Sequence, residues 1–192
     1  EPRDVLMQAS KNGFFYVHDR LTGELLAADK FVDANWATGI DANGRPIINP
    51  EADYTTGKPV IVFPSGAGGH NFNPMSLSAK TGLVYIPALH SGMMVAPGPV
   101  RPRGPGRSAG GFQVAFISGP LVASELSPLF QPLADPDYLR RVPSLQVHAS
   151  LKAWDPVARK VVWEHRYPSF NDHGGVLSTA GGLVVQGSID GN

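Results

Sequence analysis

The chain has 192 residues and no net charge, with 16 Lys and Arg balancing 16 Asp and Glu; 42% of its residues are hydrophobic and 17% are charged. This balance excludes a basic surface for nucleic acid, a polybasic membrane patch and charge-driven disorder. The absence of cysteine excludes a disulfide framework, a cysteine zinc site and covalently attached haem within this sequence. No apolar run approaches the roughly 20 residues of a membrane helix.

Strands are predicted throughout the chain, because its 22 Gly and 18 Pro favour short strands joined by turns over a helical bundle. The clearest candidates are apolar or aromatic runs, most of them bounded by Gly, Pro or a Thr-Gly turn, at residues 4–8, 14–17, 82–87 and 182–187. A single helical turn is predicted over 135–141, with Asp135 as its N-cap and Pro136 at its first position. The chain is therefore predicted to be all-β.

A short pattern recurs along the sequence: a strand, an Asp, a four-residue turn and a second strand. It occupies Val17–Leu26 and Ala153–Val162, and its turn and second strand recur over Leu77–Tyr85. Turn residues there can supply the positive φ that tight hairpins require. Repeated hairpins of this kind predict a β-propeller; ordinary hairpins in an unrelated β-sandwich are the alternative.

The stretch at about residues 90–150 differs from the rest because it is rich in Pro and Gly. We expect a long, irregular excursion between two strands. Its cluster of Arg101, Arg103 and Arg107 is interpreted as a solvated loop rather than an anion site.

The histidines do not predict a metal site. His70, His148, His165 and His173 include no pair at the H-x-x-x-H spacing of a helical metal site, and the region is not predicted to be helical. They are expected to be structural or exposed.

Five motifs resemble those of the pyrroloquinoline-quinone (PQQ) dependent alcohol dehydrogenases, and they occur in the order found in that family. The resemblance covers nearly the whole chain and is weakest between His90 and Ser150. The five motifs are Val5–Arg20, Asn35–Asp41 followed by Gly44–Ile47 and Asn49–Ala52, Gly69–Ser76 running into Lys80–Ala88, Ala153–Trp163 and Gly174–Gly187.

The resemblance implies an eight-bladed propeller several times longer than this chain, to which residues 1–192 would contribute about three blades as a fragment. It implies a periplasmic oxidoreductase that oxidises alcohols to aldehydes with PQQ and a bound Ca²⁺ or lanthanide, and passes electrons to cytochrome c or ubiquinone. From the charge balance and the short apolar runs, neither a nucleic-acid partner nor a transmembrane segment is expected here. The alternative is a non-catalytic propeller scaffold of the outer-membrane assembly type.

Three residues match the family's cofactor contacts. Lys11 matches a lysine at the ortho-quinone oxygens, where a fixed ammonium would stabilise developing negative charge. Asn71 matches an amide donor. Phe72 stands where the family has Trp, which keeps an aromatic wall but loses the indole N–H.

The resemblance implies no catalytic or metal-ligating residue within this chain. The base, an Asp, and the metal ligands are expected upstream, and Asp4 is not interpreted as that base. Trp154 and Trp163 match tryptophans that stack between neighbouring blades.

Overall fold

The computed structural model describes residues 3–98, 111–167, 169–170 and 173–189. Strands dominate this part of the chain, as predicted. The first sheet is antiparallel and contains β1 (Val5–Ala9), β2 (Phe14–Asp19) and β3 (Leu25–Lys30) in chain order. The hairpin of β4 (Ala37–Ile40) and β5 (Pro46–Ile48) follows it, then the 3-10 turns Pro50–Ala52 and Tyr54–Thr56.

The second sheet has four antiparallel strands, the number expected of a propeller blade. The strands are β7 (Ser76–Leu77), β8 (Val84–His90), β11 (His148–Asp155) and β12 (Lys160–Tyr167). Their order across the sheet is β12-β11-β8-β7. A hairpin of β13 (Val176–Ser178) and β14 (Val184–Gln186) follows. The two sheets and this hairpin are of the kind expected in part of a propeller, and the number of blades stays a prediction.

The excursion between β8 and β11 is partly regular. It contains β9 (Met93–Pro97), β10 (Phe112–Phe116), the 3-10 turns Ala123–Glu125 and Gln131–Ala134, and the helical turn α1 (Pro136–Leu139). The centre of a small sheet is β9, which pairs with β10 on one side and with β6 (Val60–Val62) on the other. All three residues of β6 are buried, so this pairing anchors the excursion in an apolar core.

One of the two local predictions in the excursion falls on described residues. The predicted helical turn is confirmed, because Asp135 Oδ1 accepts hydrogen bonds from the backbone N–H groups of Asp137 (2.8 Å) and Tyr138 (2.9 Å). The cluster of Arg101, Arg103 and Arg107 lies outside the described residues.

The repeated hairpins use the same hydrogen bonds. Asp19 Oδ1 accepts from the N–H groups two and three residues later, at 2.9 Å each, and Asp155 Oδ1 does the same at 2.8 Å. Each turn closes on a residue of positive φ, Gly23 (76°) in the first and Arg159 (59°) in the second. The sequence repeat is thus a structural repeat.

Arg159 is the one non-glycine residue with positive φ among those described. Its guanidinium makes two hydrogen bonds to Asp29 on β3, Nε to Oδ2 at 2.7 Å and Nη2 to Oδ1 at 2.9 Å. A two-point ion pair between the sheets therefore accompanies a backbone conformation that glycine would adopt without strain.

The core between the two sheets is built on aromatic contact. Phe15 of β2 and Trp154 of β11 are nearly fully buried, and their ring centroids lie 5.5 Å apart. Trp154 thus packs between sheets, as predicted. The ring centroids of Trp163 and Tyr85 lie 5.8 Å apart. Tyr85 belongs to the apolar cluster that packs against β13 and β14.

A charge network lies on the second sheet around Glu164. Its carboxylate is 2.9 Å from Lys152 Nζ and 3.3 Å from Arg166 Nε. Burial alone raises the pKa of Glu164, but the hydrogen bond and charge of Lys152, helped by Ser150 and Arg166, outweigh burial and lower this pKa from 4.5 to about 2. The ionised carboxylate is therefore stabilised by folding.

Arg159→Gly tests the ion pair between the sheets. The change relieves roughly 1 kcal/mol of backbone strain and removes a pair that, being exposed, contributes about 0.5–1 kcal/mol. We expect little change in unfolding free energy in the natural sequence, but a gain of about 1 kcal/mol in an Asp29→Asn background. Urea unfolding of the four proteins measures this coupling, and strictly additive effects would contradict it.

Glu164→Gln tests the charge network. A carboxyl whose pKa is lowered by folding stabilises the protein above its ordinary pKa, and this contribution disappears as pH falls through the folded value. We expect the unfolding free energy to fall between about pH 4.5 and pH 2 with a shallower slope in the Gln variant. Glu24→Gln, a change in an exposed carboxyl on the first hairpin, is the control and should keep the natural slope.

Candidate functional site

Lys11 lies in a rigid turn between β1 and β2. Asn12 holds the turn by accepting a hydrogen bond from Phe14 N–H (3.1 Å) through Oδ1 and from the Trp36 indole N–H (2.8 Å) through its carbonyl. Gly13 closes the turn with a φ of 94°, and a Cβ added there would lie 2.9 Å from Cβ of Ala34. The backbone beneath Lys11 is thus fixed while its side chain is exposed.

The loop that carries Asn71 packs directly on this turn. Gly69 N–H donates to the Lys11 carbonyl at 3.0 Å. Gly68 has a φ of 88°, and a Cβ there would collide with Cγ of Lys11, so only glycine allows this approach. The structure therefore brings together two motifs that are far apart in sequence.

Asn71 and Phe72 follow at the surface of the same loop. Asn71 Nδ2 donates to the Ala67 carbonyl at 2.9 Å, which leaves its second N–H and its Oδ1 for a ligand. Phe72 is 86% exposed. Lys11 and Asn71 are thus placed on adjoining segments; the roles of these two residues and of Phe72 toward a cofactor stay predictions.

A shallow cavity of about 410 Å³ adjoins Lys11. Its walls are mostly apolar, and its lining includes Trp36, Tyr54, Val62 and Pro64. The sequence analysis did not assign Trp36 and Tyr54 to a site, although the Asn35-Trp36 motif was a signal for the first. A larger cleft of about 920 Å³, near Lys58 and Tyr138, contains none of the predicted site residues.

The histidines make local contacts. His148 stacks on His90 with centroids 4.9 Å apart, His165 meets Tyr167 edge-on at 4.8 Å, and His173 Nδ1 lies 3.0 Å from the Phe170 carbonyl. Within the described ranges, no group of three or more His, Asp and Glu residues could hold a metal ion.

The donors at Lys11 and Asn71 suit a planar, oxygen-rich ligand. No ion pair found in the described part of the chain involves Lys11, so its ammonium is available. Quinone and carboxylate oxygens accept hydrogen bonds from an ammonium and an amide N–H, and an aromatic ring packs against a flat ring system. The residues present therefore fit PQQ.

The chain is similar in sequence to several alcohol dehydrogenases. No family model matches the chain. It is 41% identical over 192 residues to the quinohemoprotein alcohol dehydrogenase ADH IIB of Pseudomonas putida, covering 100% of this chain and 24% of that protein. It is 38% identical to a 1-butanol dehydrogenase (cytochrome c) of Thauera butanivorans, covering 99% of this chain and 25% of that protein. It is 39% identical to the dehydrogenase subunit of an alcohol dehydrogenase (quinone) of Acetobacter aceti, covering 100% of this chain and 24% of that protein.

Solved structures also match the chain. Quinohemoprotein alcohol dehydrogenase ADHIIG of Pseudomonas putida HK5 superposes with a TM-score of 0.76 at 38% identity, covering 99% of this chain and 26% of that one. A europium-containing methanol dehydrogenase superposes with a TM-score of 0.72 at 29% identity. The match covers 100% of this chain and 30% of that one. The chain spans about a quarter of the length of the curated relatives it matches. Its predicted resemblance is confirmed: over its whole length, the chain is homologous to a segment of the quinohemoprotein alcohol dehydrogenases.

Proposed function

We propose that this segment supplies cofactor-contacting residues of a PQQ-dependent alcohol dehydrogenase. The observation that carries the proposal is the hydrogen bond from Gly69 N–H to the Lys11 carbonyl, which joins the Lys11 turn to the Asn71 loop. Two segments that match family cofactor contacts are thereby held in contact with each other. The identities of 37–42% to such enzymes support the proposal.

PQQ, when bound, supplies an acceptor for the two electrons and the hydrogen removed from the alcohol carbon. Lys11 places a fixed positive charge where negative charge develops on the quinone oxygens, and this stabilises the transition state more than the ground state. Asn71 donates its second N–H to a cofactor oxygen. Phe72 offers an aromatic face to the ring system, and the apolar cavity beside Lys11 offers a surface from which water is excluded.

The remaining parts of the reaction are proposed from the relatives. The metal, Ca²⁺ or a lanthanide, and the Asp base are assigned to other parts of the whole protein; one structural relative is named for its europium. An alcohol is the proposed substrate, and cytochrome c or ubiquinone the proposed acceptor. One relative is named for cytochrome c and another for a quinone, without saying which quinone. No helix among the described residues has the length and hydropathy to cross a membrane. A periplasmic location stays a prediction.

A propeller scaffold without a cofactor is the competing function. It would need the repeated hairpins and the buried Trp154, but it would need neither an available ammonium at Lys11 nor an amide beside it. Equilibrium titration of the whole protein with PQQ distinguishes the two functions. Binding of PQQ would support the enzyme function. Absence of binding at millimolar PQQ would contradict it and favour the scaffold function.

Lys11→Ala, in the whole protein, should lower alcohol-dependent dye reduction by about 10²–10³-fold, the typical cost of a lost donor to a developing oxyanion. The unfolding midpoint should stay unchanged because the side chain is exposed. Lys80→Ala is the matched control, since Lys80 is also an exposed turn lysine. Full turnover in Lys11→Ala would show that this ammonium is not at the quinone.

Phe72→Trp should bind PQQ equally or more tightly, because the indole keeps the aromatic wall and adds an N–H donor. Fluorescence or equilibrium titration measures the dissociation constant. Phe72→Leu, which loses the aromatic face, should bind more weakly. Weaker binding by the Trp variant would mean that the surface is shaped around Phe.

A further inference from the structure

His70 directly precedes Asn71, but the two side chains have opposite environments. The imidazole of His70 is only 7% exposed, whereas Asn71 lies at the surface. His70 Nδ1 lies 2.7 Å from the carbonyl oxygen of Pro87 on β8. A carbonyl oxygen can only accept a hydrogen bond, so His70 Nδ1–H is the donor.

The residue before His70 is held on two sides. Gly69 N–H donates to the Lys11 carbonyl at 3.0 Å, and the Gly69 carbonyl accepts from Leu89 N–H at 2.9 Å. The His70 side chain adds a second bond to β8, two residues from the first. Together these bonds fix the backbone that leads into Asn71, whose own side chain bonds only within the loop, to the Ala67 carbonyl.

Burial favours the neutral form of His70. Removal from water lowers the pKa of His70, the bond to Pro87 raises it, and the nearby His173 lowers it further. The imidazole can therefore donate through Nδ1 without placing a charge in the interior. An aliphatic residue of similar volume would fill the space but would leave the Pro87 carbonyl without this donor.

We propose that His70 is a positioning residue: by donating Nδ1–H to the Pro87 carbonyl, it holds the Asn71 amide in place for the cofactor. The proposal rests on the proposed function for its ligand. It assigns His70 no contact with the cofactor and no part in proton transfer.

The test uses the whole protein and PQQ, with His70→Leu, His70→Asn and the same changes in an Asn71→Ala background. His70→Leu should weaken PQQ binding by about 10-fold or more, within the 10–100-fold typical of lost outer-shell partners at metal sites. His70→Asn should stay within about 3-fold, because its amide N–H can take the place of Nδ1–H. His165→Leu, a change on β12 away from the loop, is the control.

The cycle with Asn71 separates positioning from general stability. If His70 acts through Asn71, His70→Leu should have little further effect on PQQ affinity once Asn71 is Ala. Equal losses in both backgrounds would overturn the proposal, as would natural affinity in His70→Leu. Failure of the natural protein to bind PQQ would instead overturn the proposed function.

If the natural protein does not bind PQQ, the Asn71 side-chain amide signals in a ¹H–¹⁵N spectrum decide whether His70 positions Asn71. They should shift in His70→Leu and return toward the natural position in His70→Asn. Unchanged amide signals in His70→Leu would overturn the proposal without reference to a cofactor.

Discussion

A single backbone hydrogen bond, from Gly69 N–H to the Lys11 carbonyl, makes the candidate site possible. This bond requires the Lys11 turn and the loop before Asn71 to approach more closely than a Cβ at the contact would allow. Gly68 and Gly69 permit this, because a Cβ on the first would collide with Lys11 and a Cβ on the second with Val32. The position of the Lys11 ammonium beside the Asn71 loop therefore follows from backbone packing, while the functional side chains themselves remain exposed.

The sequence predicted those parts of the fold that depend on local pattern. All four predicted strands are present with small shifts of their ends, the two hairpins repeat the same Asp-based turn, and Asp135 caps its helical turn. The sheet of β6, β9 and β10 was not predicted. Val60–Val62 is too short to give a clear alternation, and its partner β9 lies in a stretch whose Pro and Gly content indicated irregular structure.

The site was predicted only where a motif identified it. Lys11, Asn71 and Phe72 came from the resemblance, and the structure adds how the first two are brought together. Trp36 and His70 were not assigned to the site, because their roles depend on contacts with the distant Asn12 and Pro87 carbonyls. Arg159 is a similar case: its place in the turn repeat calls for a glycine-like φ, and only the tertiary pair with Asp29 accounts for an arginine there.

The pairing of β8 with β11 has a consequence for how the chain folds. Seven residue pairs of this ladder join strands separated by residues 91–147, so one of the two long ladders of the second sheet is built on contacts of high sequence separation. Ordering such a long loop costs entropy before the ladder repays it, which slows folding. The β9–β10 ladder and the Tyr138 hydroxyl that accepts from Ile61 N–H organise the intervening chain. Early formation of these contacts would shorten the flexible chain between β8 and β11. The excursion would then lower the entropic cost of pairing these two strands.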